Sequence, residues 1–546
     1  MKTNVLKNWF HVIVIILLGS LLYGYNISGW DLWNPDEPRY GQVAREIVNG
    51  GDWVLMHNNG KMYTDKPPFF FWAIAFSSFL WHGFTSFSVR FPSAFFGTLT
   101  VLLTYFLGKK LCASRVGILS GLILATSVEF AYIATRANID ATLTFFTTAA
   151  LFCFFQWYQW KDQNEEAPQD IRRHSIYGFY IGMALATLTK GPVGLILPLL
   201  VSLFYLLVLR DWKKMKAMKL LPGMLLFAVL VLAWYLPAVW RGGQVYLNET
   251  LFKHTLNRYS EGWSHVRPFY YFFTNFPVGF LPWFVLLPGA IGYGLSRKEP
   301  EKRKAFLFCF AWFAVIFIFF TLSKGKRALY VLPLYPAASL IIGLLLEDFL
   351  SGALGRFSKK WITLPLHGLM VTLLLSGIAI PVVVSMKLSS YLVYSIPMAL
   401  LFVGGSLSMF YFSRMNRYGA VLFLLAGIIA GGFFYTQRVV FSLVNPYKSA
   451  RQICQEITSR IRPGERVGLY GEIGSGPYNF YTGIVPIEEM EGKEELFRFL
   501  QSPGKVFCIL KLGDFSSLQS IAEKPPFRLI SQTRVGSNEI VLISNH

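Results

Sequence analysis

Apolar residues run along this chain in blocks. From Phe10 to Tyr435 the blocks recur, separated by short polar segments, and a helix of about 20 apolar residues crosses a hydrocarbon core of about 30 Å. They predict spans near 8–27, 90–109, 116–135, 141–160, 176–190, 191–209, 220–239, 271–295, 305–322, 327–346, 362–386, 391–412 and 418–437, thirteen in all. The run from Pro67 to Trp81 is shorter, in the range of a buried or re-entrant segment. With Trp72 and Trp81 suited to an interface, it is predicted to be a juxtamembrane helix outside the count. The first run, Phe10 to Tyr25, follows Lys2 and Lys7 and has no small-x-small cleavage site, so it reads as an uncleaved first span.

Beyond Gln437 the blocks give way to mixed sequence. Short β-rich runs at Arg466–Tyr470, Val506–Lys511, Phe527–Thr533 and Ile540–Ser544 alternate with polar helical stretches near 447–461, 491–501 and 515–523. This pattern predicts a small α/β layer structure over 438–546, following a membrane portion over 1–437 whose first outer loop is 28–89. Gly-Glu-Ile-Gly-Ser-Gly at 471–476 lacks the spacing of a dinucleotide-binding turn.

Composition agrees with the blocks. Hydrophobic residues make up 54% of the 546 and charged ones 15%, below the roughly 25% charged residues of soluble domains. A net charge of +21 raises the question of nucleic acid, which the placement of the charge answers. Lys and Arg gather between apolar runs, as in Lys109/Lys110/Arg115, Arg210/Lys213/Lys214/Lys216, Arg297/Lys298/Lys302/Arg303/Lys304 and Arg356/Lys359/Lys360. That is the positive-inside pattern, so these clusters are assigned to the cytoplasm and no nucleic-acid partner is expected. The N-terminus then lies inside and the C-terminal segment outside. The five cysteines have no metal-ligand spacing; Cys454 and Cys508, sharing the C-terminal segment, are a candidate disulfide if it is extracytoplasmic.

The outer segments hold charges that topology does not explain. They are Asp36-Glu37-Pro38-Arg39-Tyr40, Asp65-Lys66, Arg136-Ala-Asn138-Ile-Asp140, Lys190, His254 with Arg258 and Tyr259, and Ser323-Lys324-Gly-Lys326-Arg327 followed by Tyr330. Charge at a membrane end is costly unless paired or turned to a polar cavity, and its recurrence on one face argues for a site there. Asp36 and Glu37 suit a carboxylate that orients or deprotonates an acceptor; a helix start is the other reading, since acids beside Pro38 suit an N-terminus. Lys66, Arg258, Lys324, Lys326 and Arg327 suit a lipid phosphate, or ordinary headgroup contact. Asp65 and His254 have metal-ligand chemistry, with a surface histidine as the alternative.

In their order, these motifs resemble the aminoarabinose transferase (ArnT) branch of the GT-C glycosyltransferase superfamily and its dolichyl-phosphate-mannose transferase relatives. They comprise Asp36-Glu37-Pro-Arg39-Tyr40-Gly, Asp65-Lys66-Pro67-Pro68, Arg136-Ala-Asn-Ile-Asp140, Leu-Thr-Lys190-Gly-Pro, His254-x-x-x-Arg258-Tyr259, and Ser323-Lys324-Gly-Lys326-Arg327 with Tyr330-Val-Leu-Pro-Leu-Tyr335-Pro. The resemblance implies a polytopic α-helical membrane protein of about thirteen transmembrane helices with a small extracytoplasmic C-terminal α/β domain, in a bacterial inner membrane. It implies inverting transfer of a sugar from an undecaprenyl-phosphate-linked donor to lipid A or another envelope acceptor, at a periplasmic site. Asp36 is then the principal catalytic acid, with Asp140 a second functional carboxylate facing the same cavity and Glu37 beside them. Lys66 and Arg258 hold the carrier phosphate, with Arg39, Tyr40, Lys190, Lys324, Lys326 and Tyr330 as further substrate-binding residues. Asp65 and His254 fall where the family binds a divalent metal (Zn, or Mg/Mn), although the family more often has Glu at the position of Asp65. No cofactor is otherwise called for. Transfer to a protein hydroxyl, as in protein O-mannosyltransferases, is the same-class alternative; a lipid-linked sugar flippase is the other, and it would place its polar groups near mid-membrane.

Overall fold

The computed structural model describes residues 2–163, 169–250, 266–521 and 524–545. The chain divides into two compact units: Met1–Tyr25, Asp65–Phe69 and Ser93–Thr436 form one, and Asn26–Thr64, Phe70–Pro92 and Gln437–His546 form the other.

The first unit is a helical membrane body. Among the described residues eight helices are long and apolar enough to cross a bilayer: Ser86–Leu111, Ile139–Gln159, Leu220–Asn248, Pro300–Leu322, Ala328–Leu350, Lys360–Lys387, Ser389–Arg414 and Tyr418–Lys448. Two bent pairs raise the number to 10, Ser114–Ala125 with Val128–Ala134 at 71° and Tyr271–Gly279 with Trp283–Ser296 at 109°. The remaining three stretches read as spans from the sequence fall on the shorter apolar helices Trp9–Gly24 and Val193–Val208 and on the helix Gln169–Lys190. Phe69–Leu80 has 12 residues and rises about 18 Å, too short to cross alone.

The helices show why the sequence forms blocks. Leu220–Asn248 and Lys360–Lys387 leave large apolar side chains such as Leu221, Trp240 and Leu364 exposed, which acyl chains cover and water does not. Tyr335–Leu350 is instead buried almost all round, at the centre of the body. Small residues set the close approaches. Where Ile139–Gln163 packs along Gln169–Lys190, a Cβ on Gly182 would lie 2.9 Å from the Ala150 Cβ. Gly182→Val should therefore force these helices apart and lower the thermal midpoint of the detergent-solubilised protein, by about 1–3 kcal/mol of overpacking; an unchanged midpoint would show that this contact does not limit packing.

The second unit is built on a five-stranded mixed sheet with the order β4-β3-β5-β7-β6. Here β3 is Arg466–Tyr470, β4 Glu488–Met490, β5 Val506–Lys511, β6 Arg528–Val535 and β7 Asn538–Ser544; β1 (His57–Asn58) and β2 (Lys61–Met62) form a separate small ribbon. β3 pairs parallel with β4 and β5, while β7 runs antiparallel to β5 and β6. The helices Arg451–Thr458 and Gly476–Thr482 cover one face, packed on Val467, Leu469, Phe507, Ile509, Ile540 and Leu542. Lys493–Leu500 and Leu512–Gln519 cover the other, over Val506, Cys508, Leu510, Val541 and Ile543. Burial on both faces explains the unbroken apolar runs of β5 and β7, and the polar β6 is an edge strand. β4 and the helix Gly476–Thr482 were not anticipated: each is short and has no apolar period of its own.

The candidate disulfide is not formed. Cys454 and Cys508 are both free and buried, and they belong to the cores on opposite faces of the sheet. Burial pushes both thiols far up from their ordinary value. A maleimide should label neither before denaturation and both afterwards, as counted by intact mass; labelling of either thiol in the folded protein would contradict this packing.

Asn26–Thr64 and Phe70–Pro92 belong to this second unit. The Asn59 side chain donates to the Ile487 carbonyl (2.9 Å) and accepts from the Ile487 N–H (2.7 Å) and from the Asn479 amide (2.9 Å). Lys61 pairs with Glu489 at 2.5 Å, and the Arg45 guanidinium lies over the Phe480 ring at 4.3 Å.

Candidate functional site

In the second unit the helix Asp36–Gly50 opens on the two acids, whose charge suits the positive end of a helix. The helix-start reading of the Asp-Glu pair is therefore met. Asp36 is partly exposed and pairs with Arg39 at 2.9 Å. Arg39 itself lies against Gly476, where a Cβ would come within 2.8 Å of the Arg39 Cβ. The glycine-rich 471–476 segment thus ends in a packing glycine.

Glu37 is placed differently. It is 1% exposed, and Arg90, fully buried, grips it through two hydrogen bonds, Nε to Oε1 at 2.7 Å and Nη2 to Oε2 at 3.0 Å. The Trp33 N–H also donates to Oε2 (2.9 Å). Arg90 donates further to the carbonyls of Ile27 (2.6 Å), Trp30 (2.9 Å) and Asp31 (2.6 Å), and its guanidinium lies over the Trp30 ring. Tyr40 is buried with its ring edge-on to Phe70 and Phe71.

In the first unit, Asp140 sits in the first turn of the helix Ile139–Gln163, and its N–H donates to Asn138 Oδ1 (2.8 Å). Ser93 and the Asn138 backbone exchange hydrogen bonds, fixing the turn that presents it. Lys190, the last residue of Gln169–Lys190, forms a short ion pair with Asp140, and its ammonium stands 4.4 Å from the centre of the Tyr330 ring. Arg136, of the same motif, hydrogen-bonds the Tyr132 hydroxyl. Lys66 pairs with its neighbour Asp65 at 2.8 Å. Lys324 is exposed, whereas Lys326 is buried, its ammonium donating to the carbonyls of Ser323 and Arg267; burial lowers its pKa.

His254 and Arg258 lie outside the described residues. Of the two expected metal ligands only Asp65 is described, and it is engaged with Lys66; among the described residues no group of three or more His, Cys, Asp or Glu is arranged to hold a metal ion.

Two residues escaped the sequence reading. Arg90 and Glu129 each sit as a single charge at or within an apolar run, and that isolation is the signal that marks them.

Residues 8–252 match the family model described as dolichyl-phosphate-mannose-protein mannosyltransferase. The crystal structure of ArnT from Cupriavidus metallidurans bound to undecaprenyl phosphate shares the fold, with a TM-score of 0.81 over 99% of this chain and 98% of that one, at 21% identity. A protein of Aquifex aeolicus is 28% identical over 506 residues, 92% of each chain. The undecaprenyl phosphate-alpha-4-amino-4-deoxy-L-arabinose arabinosyl transferase of Pectobacterium atrosepticum is 32% identical over 332 residues, which make up 60% of this chain and 58% of that relative. The chain is a multi-pass membrane protein with an ArnT-like fold.

Proposed function

We propose that the protein is an inverting glycosyltransferase that moves a sugar from undecaprenyl phosphate to lipid A or a related envelope acceptor. The sugar and acceptor proposed are 4-amino-4-deoxy-L-arabinose and a lipid A phosphate. The observation that carries this reading is the ArnT-like fold along the whole chain, to which the ordered charged groups of both units add chemistry.

Bond cleavage leaves positive charge at the anomeric carbon and returns the bonding electrons to the departing phosphate. Fixed cations lower the energy of that phosphate, a role assigned to Lys66 and Arg258, with Lys324 and Lys326 as further cations. Lys190 holds Asp140 in place, and Asp140 stabilises the oxocarbenium-like centre. An acceptor phosphate is already an anion, so Asp36 then orients it; with a hydroxyl acceptor Asp36 takes the proton. Glu37, with both oxygens engaged, anchors the loop. The proposed orientation has thirteen spans in the bacterial inner membrane, the N-terminus cytoplasmic, and the site and C-terminal segment periplasmic.

Purified protein supplied with undecaprenyl-phosphate aminoarabinose and lipid A should produce lipid A heavier by one aminopentose, seen by mass spectrometry. Unmodified lipid A after complete mixing with active carrier would refute the proposed acceptor. The match to the mannosyltransferase model favours transfer to a protein hydroxyl as the second reading, and a mass gain on envelope proteins alone would establish it.

A further inference from the structure

The helix Gly476–Thr482 has seven residues, too few to persist alone in water, and its order comes from the sheet it covers. Tyr478 is 1% exposed in the core built on β3, β5 and β7. The Asn479 amide donates to Asn59 Oδ1 (2.9 Å) and to the Ile484 carbonyl (2.8 Å). From that base the helix grips the segment carrying Asp36 on both sides of the acid. Ahead of it, the Tyr481 hydroxyl accepts a hydrogen bond from the Leu32 N–H (2.7 Å) and donates to the Leu32 carbonyl (3.1 Å).

After it, Gly476 lies against Arg39. An added Cβ would fall 2.8 Å from the Arg39 Cβ and 2.9 Å from its Cα, so any side chain at 476 has to push the backbone of the helix Asp36–Gly50. One turn on, a Cβ on Gly41 would come within 2.7 Å of the Phe480 ring, and Arg45 donates to the Phe480 carbonyl (2.8 Å). Arg39 in turn pairs with Asp36. The acid is thus held between Leu32 and Arg39, two points fixed by one short helix.

We infer that Gly476 and Tyr481 are positioning residues for the transfer reaction: through Arg39 and Leu32 they set where the Asp36 carboxylate stands, so its placement is inherited from the five-stranded sheet. The inference rests on the role given above to Asp36 and deepens it by naming what holds that carboxylate. Reacting groups have to be held to within about 0.5 Å, and a misplacement of about 1 Å costs about 10²-fold in rate.

The test uses the full-length protein with undecaprenyl-phosphate aminoarabinose and lipid A. Gly476→Ala should lower kcat about 10- to 100-fold, and Tyr481→Phe should lower it by less. Both should leave KM for the donor unchanged, because neither touches the cations assigned to the carrier phosphate. Gly468→Ala is the control for stability alone: its Cβ would meet Met490 and Phe499 in the core on the other face of the sheet, so it should lower the thermal midpoint and leave kcat near wild type. In an Arg39→Met background, where the link to Asp36 is already cut, Gly476→Ala should cost little more than Arg39→Met alone. Should Gly476→Ala not fold, Tyr481→Phe against Gly468→Ala decides. Unchanged kcat in the folded variants, a loss of kcat that follows the midpoint equally in all three, or a full Gly476→Ala effect in the Arg39→Met background overturns the positioning role and leaves the transferase reading standing. Wild type that transfers no aminopentose overturns the proposed reaction and this inference with it.

Discussion

Arg90→Met should destabilise the second unit by about 3–5 kcal/mol, because it leaves the Glu37 carboxylate buried without its partner. Removal also strands the carbonyls of Ile27, Trp30 and Asp31, which accept hydrogen bonds from the same guanidinium. Glu37→Gln should cost less than Arg90→Met, since a neutral amide still offers one oxygen to the fork. The double variant Arg90→Met/Glu37→Met should recover part of the loss, as apolar replacement of a whole buried pair is often close to neutral. Thermal denaturation in detergent measures all three. A single Arg90→Met variant as stable as wild type would mean that the pair carries no net stability, and that Glu37 is free to take part in chemistry.

Asp36→Asn should lower kcat by about 10²–10⁴-fold if Asp36 removes a proton from a hydroxyl acceptor, with carrier binding retained. With a phosphate acceptor the loss should be smaller and should appear in KM for the acceptor, because an anion needs positioning more than proton removal. Steady-state kinetics with the two acceptor types separates the cases, and near-normal turnover with both would exclude Asp36 from the reaction. Asp140→Asn should lower kcat as well, and Lys190→Met should follow it in the same direction, since it releases Asp140 from its partner. Were Lys190→Met active and Asp140→Asn inactive, the ion pair would be dispensable and the carboxylate alone required.

The long helices of the first unit were legible because each is apolar enough to announce itself. Even so, 116–135 and 271–295, continuous in composition, are bent at Thr126–Ser127 and at Phe280–Pro282. Hydropathy measures length and polarity but not direction, so a bend that keeps every residue apolar leaves no trace in it. In the sheet, β3 and β5 were recovered at their boundaries because burial on both faces favours near-continuous apolar runs. β4, three residues long, is a strand only because β3 lies beside it.

The charged residues divide along the same line. Asp36, Glu37, Asp140 and Lys190 were chosen from type and position, and nothing in the sequence separates the partly exposed Asp36 from its neighbour Glu37. Sequence by itself determined the class of protein, because a bilayer imposes length and polarity on every residue it touches. It also determined the order of the charged motifs. Tertiary structure alone decided which carboxylate is sealed under Arg90 and which is held by Lys190. Such pairings join residues 50 or more positions apart, and their energies depend on burial and distance, which arise only when the chain has folded.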